Sequence, residues 1–345
     1  MTAEVRSPAE ETTVLLAARG LTKHFPHRER RHPLRRLSVR AVEDVTLDLA
    51  AGTVTAVVGE SGSGKSTLAR MLARLIVPTA GEVLLHGVPT PPGGVRRDYS
   101  RQVQLVLQDP FSSLNPVHSV RYHLARPLVI HRLAERGADL DRSIRELLDR
   151  VALTPVETFI DKYPHELSGG QRQRVAIARA LAVRPDVLIA DEPVSMLDVS
   201  IRLGVLNLLA DLRDTEGLAI LYVTHDIASA RYLADTIAVM YAGRVVESGP
   251  AAEVTDNPAH PYTRLLLRAA PDPDRIEPHV TTGRGAPPSL VRPPAGCRFH
   301  PRCPHVMDVC RTTAPPDLSV AAGHVSACWL HETTDRPVAA NGEAG

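Results

Sequence analysis

Short apolar runs alternate with segments of helical spacing along most of this chain. Val14–Ala18, Val45–Leu49 and Val54–Val58 read as strands, and a glycine-rich turn leads from the last of them into a helical pattern from Lys65 to Ile76. Val103–Leu107 reads as another strand. Val117–Ala152 is charge-rich with helical apolar spacing at Leu124, Leu128, Ile144, Leu147 and Leu148, which predicts a separate helical subdomain. The alternation then resumes with helix Gln171–Val183, strand Val187–Ala190, helix Val199–Arg213, strand Leu218–Val223, a helix near Ile227–Ala234 and two strands between Thr236 and Glu247. An α/β core is the fold expected. After Ala270 the pattern fails: seven prolines between Pro271 and Pro294 mark a linker, a cysteine-bearing segment follows, and Thr333–Gly345 reads as disordered. No internal repeat at solenoid or propeller spacing is visible.

At 345 residues and 43% hydrophobic content, one substantial core with a small appendage is expected. Lys and Arg total 40 against 39 Asp and Glu, so no global field draws the chain to nucleic acid or anionic lipid, and partners must be sought in local sites. No apolar run approaches the length of a membrane span, and Met1–Glu10 does not resemble a signal peptide, which predicts a soluble cytosolic chain. All four cysteines lie between Cys297 and Cys328. In a reducing compartment such crowding points to ligation rather than to structural disulfides.

The first chemical motif is Gly59-Glu-Ser-Gly-Ser-Gly64-Lys65-Ser66, a phosphate-binding loop between a strand and a helix. Its glycines let successive N–H groups converge on phosphates, and the helix beginning near Lys65 adds its positive end. Lys65 reaches the β/γ oxygens and Ser66 ligates magnesium. The second motif is the apolar strand Val187-Leu-Ile-Ala that ends in Asp191-Glu192. Asp191 is suited to hold magnesium through water and Glu192 to polarise the attacking water, because phosphoryl transfer depends on in-line positioning and charge neutralisation. Between them stands Leu167-Ser168-Gly169-Gly170-Gln171, a second anion-binding helix start. One γ-phosphate does not need two such sites from one chain, so the second is read as serving a nucleotide held by another subunit.

Leu167–Gln171 and its extension through Leu181 resemble the signature sequence of ABC ATPases. Other family positions are present in order. Gln108 resembles the Q-loop glutamine that reaches magnesium, Ser195-Met-Leu-Asp198 the D-loop at the dimer interface, His225 the switch histidine at the γ-phosphate, and Phe25 the aromatic that stacks on adenine. Met196 departs from the commoner alanine of the D-loop. The resemblance implies nucleotide contacts from Gly59, Ser61, Gly62, Gly64, Lys65, Ser66 and Thr67, and from Ser168–Gln171 and Asp198 across a dimer. It further implies ATP and Mg2+ as cofactors, with Ser66, Gln108 and Asp191 at the metal. The implied fold is a P-loop ABC ATPase core over residues 12–270 with an antiparallel β subdomain and a helical subdomain at about 112–170. A proline-rich linker at 271–296, a cysteine segment at 297–330 and a disordered tail at 331–345 complete it. Two such subunits pack head to tail, and closure upon ATP is passed to membrane subunits.

Gln108-Asp-Pro-Phe-Ser-Ser-Leu-Asn-Pro116, Tyr163-Pro-His-Glu-Leu167 and Asn257-Pro-Ala-His-Pro-Tyr262 are similar to the oligopeptide/dipeptide branch of ABC importers. The resemblance implies a second ATPase subunit, with a heterodimer favoured, two permeases, an extracytoplasmic solute-binding protein, and a place at the cytoplasmic face of the membrane. Peptide is the default cargo, with oligosaccharide next and nickel also carried in this branch. A soluble ABC ATPase acting on nucleic acid or the ribosome is the competing class, and a separate-subunit exporter is a third. One cassette without a long coiled-coil arm speaks against the former. The basic stretch Arg28–Arg40 lacks interleaved aromatics and is read as a solvated loop rather than a nucleic-acid contact. Cys297, Cys303, Cys310 and Cys328 are separated by five, six and seventeen residues, which fits zinc poorly although His300, His305 and His324 are near. Some members of the branch carry a 4Fe-4S cluster in a similar segment. A cluster, zinc and four free thiols all stay open at this point, the cluster favoured by resemblance.

Overall fold

The structure, a computed structural model, describes residues 13–28, 36–91, 96–269 and 285–332. Strands β1 (Val14–Arg28), β2 (Arg36–Ala50), β4 (Ala80–Leu85) and β5 (Val88–Pro89) form an antiparallel sheet in the order β2-β1-β4-β5. The second sheet has eight strands. Its parallel centre is β9 (Thr236–Tyr241), β3 (Val54–Val58), β8 (Ala219–Thr224), β7 (Val187–Asp191) and β6 (Val103–Val106), in that order. The chain then turns back through β10 (Arg244–Pro250), which pairs antiparallel to β9, and β11 (Leu318–Ala321) and β12 (His324–Ser326) extend the same edge.

All five residues of β3, of β7 and all six of β8 are buried, as continuous apolar runs covered on both faces should be. Side chains alternate between the two cores. Val54, Ala56 and Val58 face one and Val57 the other. One core lies beneath α1 (Lys65–Leu72) and the antiparallel sheet, through Leu68, Met71, Leu16 and Val45. Beside these, α2 (Arg97–Gln102) precedes β6. The opposite core takes α3 (Pro110–Ser113), α4 (Val120–Ile130), α5 (Ala138–Arg150), α6 (Gly169–Leu181), α7 (Val199–Glu216) and α8 (Ile227–Leu233). Leu124, Leu128, Ile144, Leu147 and Leu148, the apolar periodic positions of the charge-rich stretch, are all buried there.

Several features differ from the sequence reading. β1 and β2 run for 15 residues each because they cross bulges, at Ala18/Leu21 and Lys23/His24 among others, that break the two-residue alternation. Residues 36–40 of the basic stretch are therefore strand, with Arg40 opposite His24, and not solvated loop; residues 29–35 lie outside the described residues. Helix α1 stops at Leu72, four residues short, where Arg74 adopts a left-handed φ of 60°.

The cysteine segment is also less detached than a tail. Besides β11 and β12 it contributes α11 (Asp308–Thr312) and a buried Phe299 at 5.2 Å from the ring of Tyr241 and 5.5 Å from that of Tyr262, the latter on α10 (Pro261–Ala269), which follows α9 (Ala251–Asp256). Residue 270, residues 271–284 of the proline-rich linker and 333–345 of the tail lie outside the described residues. Arg40 donates its N–H to the carbonyl of Leu290 at 2.9 Å, so the later part of the linker also rests on the core. Among the described residues no helix is long and apolar enough to cross a membrane.

Candidate nucleotide site

The loop from Gly59 to Gly64 joins the end of β3 to the start of α1, at the carboxyl edge of the parallel sheet where α/β proteins bind ligands. Two of its glycines are required by space. A Cβ on Gly59 would stand 2.1 Å from the carbonyl oxygen of Met240, and one on Gly64 would stand 2.2 Å from that of Ala41, with φ at 107° in addition. The loop is thus pinned between β9 and β2.

Lys65 is buried, and its ammonium donates to the carbonyls of Gly59 at 2.7 Å and Glu60 at 3.0 Å. Burial pulls its pKa down, while the carboxylates of Glu192, Asp191 and Glu60 favour its charged form. Ser63 Oγ is buried and has no hydrogen-bond partner among the described residues, a donor left over inside a loop of converging N–H groups. Ser61 and Gly62 are exposed, and Thr67 is half-buried in the first turn of α1.

Ser66 donates its hydroxyl to Asp191 Oδ1 at 3.0 Å, so the first two motifs meet 125 residues apart in sequence. Asp191 is 2% exposed, and burial pushes its carboxyl up against the opposing pull of the Ser66 hydroxyl. Its neighbour Glu192 turns off the strand with a left-handed φ of 48°, held by its N–H to Val223 O at 2.9 Å. Such a conformation costs a non-glycine residue on the order of 1 kcal/mol or more and is found at functional positions. It brings the Glu192 carboxylate to Gln108 Nε2 at 2.8 Å and to His225 Nδ1 at 3.4 Å. Lys65, Ser66, Asp191, Glu192, Gln108 and His225 thus converge on one patch from β3–α1, β6, β7 and β8.

The other predicted contacts stand apart from that patch. Ser168 caps α6: its hydroxyl accepts from Gln171 N at 3.3 Å while Gln171 Oε1 accepts from Ser168 N at 2.9 Å. Gly169 packs against Leu197, and Gly170 lies so close to Ile201 that a Cβ there would stand 2.3 Å from its methyl. Asp198 sits exposed at the start of α7 and makes no side-chain capping bond. No hydrogen bond among the described residues joins Ser168–Gln171 or Asp198 to the phosphate loop. Phe25 is half-buried on β1 opposite Val39, with the Lys23 ammonium 5.2 Å from its ring centre.

All four cysteines are free. Burial, followed by the charges of Cys310, Cys328 and Cys303, pushes the Cys297 thiol up to about 11. The Cys303 and Cys328 thiols are raised by burial first and also by Cys310, and Cys328 by Cys303 as well. The four sulfurs therefore share one electrostatic neighbourhood. Even so, no three His, Cys, Asp or Glu among the described residues are placed to hold a single metal ion.

Sequence motifs missed some of what shapes this site. Glu60, inside the phosphate loop, is held by Arg302 from the cysteine segment through a bidentate ion pair at 2.9 and 3.0 Å, and its N–H donates to Tyr262 Oη at 2.9 Å. Nothing local in the sequence signals a pair 242 positions apart.

A glycine-built phosphate loop, a buried aspartate against its serine and a carboxylate beyond that aspartate, on a mainly parallel sheet, define a P-loop nucleoside triphosphatase. Residues 42–195 match the ABC transporter family and residues 246–310 the oligopeptide/dipeptide transporter C-terminal region. The chain is similar to the di/tripeptide transport ATP-binding protein DppF of Pseudomonas aeruginosa, 43% identical over 87% of this chain and 93% of that protein. It is also similar to the oligopeptide transport ATP-binding protein AppF of Bacillus subtilis, 38% identical over 94% and 99%. A dimeric post-hydrolysis structure of the ATP-binding cassette MJ0796 with ADP and Pi superposes with a TM-score of 0.59 at 30% identity, covering 69% of this chain and 99% of that one. The chain belongs to the ATP-binding subunits of ABC transporters, in the branch that carries the oligopeptide/dipeptide C-terminal region, and it is an ATPase.

Proposed function

We propose that this ATPase powers the import of oligopeptides or dipeptides. The observation that carries the reading is the C-terminal region matched at residues 246–310, shared with a family described by that cargo. Its place is the cytoplasmic face of the membrane, attached through two permease subunits that a solute-binding protein supplies. A second ATPase subunit completes the motor, and a heterodimer is the arrangement we favour.

The proposed chemistry follows from the converged patch. Lys65 leaves the loop carbonyls for the β/γ oxygens, and the loop from Gly59 to Thr67, with Ser61, Gly62 and Gly64, cradles the phosphates. The Ser66 hydroxyl, Gln108 and, through water, Asp191 form an all-oxygen set suited to magnesium, which when bound neutralises phosphate charge. Glu192 accepts the proton of the attacking water, and His225 and Gln108 fix its carboxylate. Phe25 stacks on adenine. Ser168, Gly169, Gly170, Gln171 and Asp198 serve the nucleotide of the opposite subunit, which accounts for their separation from the patch within one chain.

For Cys297, Cys303, Cys310 and Cys328 we propose a structural 4Fe-4S cluster. Four free thiols within one another's field supply its complete donor set. Structural zinc usually takes at least one pair of ligands two to four residues apart, and the spacers here are five, six and seventeen residues.

Glu192→Gln tests the catalytic reading. The isostere keeps shape and removes the base, so turnover in the assembled transporter falls by about 10²–10⁴ while ATP still binds and holds the subunits together. Near-normal hydrolysis would overturn the assignment.

A further inference from the structure

Three groups of Glu60 are engaged at once. Its N–H donates to Tyr262 Oη, its carbonyl accepts from Lys65, and its carboxylate takes both nitrogens of the Arg302 fork. The ion pair is well sheltered on the cationic side, with the Arg302 side chain 9% exposed against 28% for Glu60. The guanidinium is fixed in turn, 3.4 Å from Tyr241 Oη and 5.8 and 6.0 Å from the rings of Tyr241 and Phe299. Arg302 directly precedes Cys303, and Phe299 stands between Cys297 and Cys303.

Charge makes this more than a strut. A phosphate loop concentrates N–H dipoles and one ammonium for an anionic ligand, and a carboxylate in its second position opposes that field. Glu60 already acts on Lys65 electrostatically. We propose that Arg302 is a positioning residue for ATP binding, through which the cysteine segment acts on the phosphate loop. It neutralises the Glu60 carboxylate and holds it away from the phosphates, leaving the Lys65 charge free for them. The inference rests on the phosphate-loop reading of Gly59–Ser66.

The test measures affinity of the full-length chain for a fluorescent ATP analogue with Mg2+. Arg302→Met leaves Glu60 unpaired beside the loop and weakens binding about tenfold, and Arg302→Lys, which keeps charge but loses the fork, weakens it about threefold. Adding Glu60→Gln to Arg302→Met removes the carboxylate left unpaired and restores binding to within about threefold of the parent. The deficit of Arg302→Met also shrinks in 0.5 M salt, at about a 4 Å screening length, as a loss of packing would not. Parent-like affinity in Arg302→Met or no rescue by Glu60→Gln would each overturn the proposal. Should Arg302→Met not fold, Arg302→Lys with and without Glu60→Gln decides by the same rescue. Lys65→Ala serves as the control: if it leaves binding intact, the phosphate-loop reading fails first, whatever the Arg302 variants do.

Discussion

Acidification should destabilise this protein in part through one imidazole, His260. The residue is 1% exposed and sits one position before α10. Its backbone N–H donates to Glu247 Oε2 at 2.9 Å, its Nδ1 accepts from Tyr262 N at 3.0 Å, and its ring lies 5.7 Å from that of Phe299. A proton on Nδ1 would face the Tyr262 N–H donor. Burial first, and then the charges of His331 and Arg264, pull the pKa down from 6.5 to about 3. In the unfolded chain the same group titrates near 6.5. Between those values the unfolded state binds a proton that the folded state excludes. This contribution is therefore complete above about pH 6.5 and declines as pH falls towards 3. At pH 5 the deficit spans about 1.5 pH units, or about 2 kcal/mol at 1.36 kcal/mol per unit. Against a typical total of about 5–15 kcal/mol that is a large share. Urea unfolding of the full chain followed by circular dichroism at pH 7.5 and pH 5 measures it. His260→Asn supplies an uncharged acceptor in place of Nδ1, so the loss between the two pH values should be about 2 kcal/mol smaller than in the parent. Equal pH dependence in the two proteins would refute the reasoning, because every other titrating group is common to both.

Lys65→Ala should weaken ATP binding by about a hundredfold, since a charge-assisted contact to phosphate is removed, and equilibrium nucleotide titration checks this. Gly64→Ala places a methyl where φ is 107° and the Ala41 carbonyl lies 2.2 Å away, so it should cost about 2–4 kcal/mol of stability in chemical denaturation and weaken nucleotide binding as well. Protein purified without oxygen should be brown and hold about four irons per chain, and Cys297→Ser should lose that iron; colourless protein with stoichiometric zinc would reject the cluster.

The residues that converge on one patch were legible in the sequence because each motif among them is local. Gly59–Ser66 must be a strand–loop–helix to work at all, and Asp191-Glu192 closes an apolar strand whose burial forces its end to a sheet edge. Positions inside the parallel core could be read for the same reason, as unbroken apolar runs leave little choice of element. The antiparallel sheet was read only in part: Val14–Ala18 and Val45–Leu49 fall within β1 and β2, whose further length crosses bulges, and the short, largely exposed β4 and β5 carry no alternation to detect.

The cysteine segment was the harder case, and its difficulty is physical. Proline-rich composition and four thiols describe a stapled appendage, and with 3% aromatic residues in the chain a lone Phe299 gives no sign of belonging to the core. Its place depends on non-local partners. Tyr241 and Tyr262 receive the ring, Glu43 and the Ala242 carbonyl take Arg298, and Glu60 takes Arg302. Glu247 shows the same logic in the sheet edge: its carboxylate accepts the N–H groups of Ala259 and His260 and meets His324 at 2.8 Å, tying β10 to both α10 and β12. A buried carboxylate with so many partners is expensive to leave unpaired. The cysteine segment therefore pairs carboxylates of the ATPase core, Glu60 of the phosphate loop among them, and removing it should disturb the phosphate loop before it disturbs the parallel sheet.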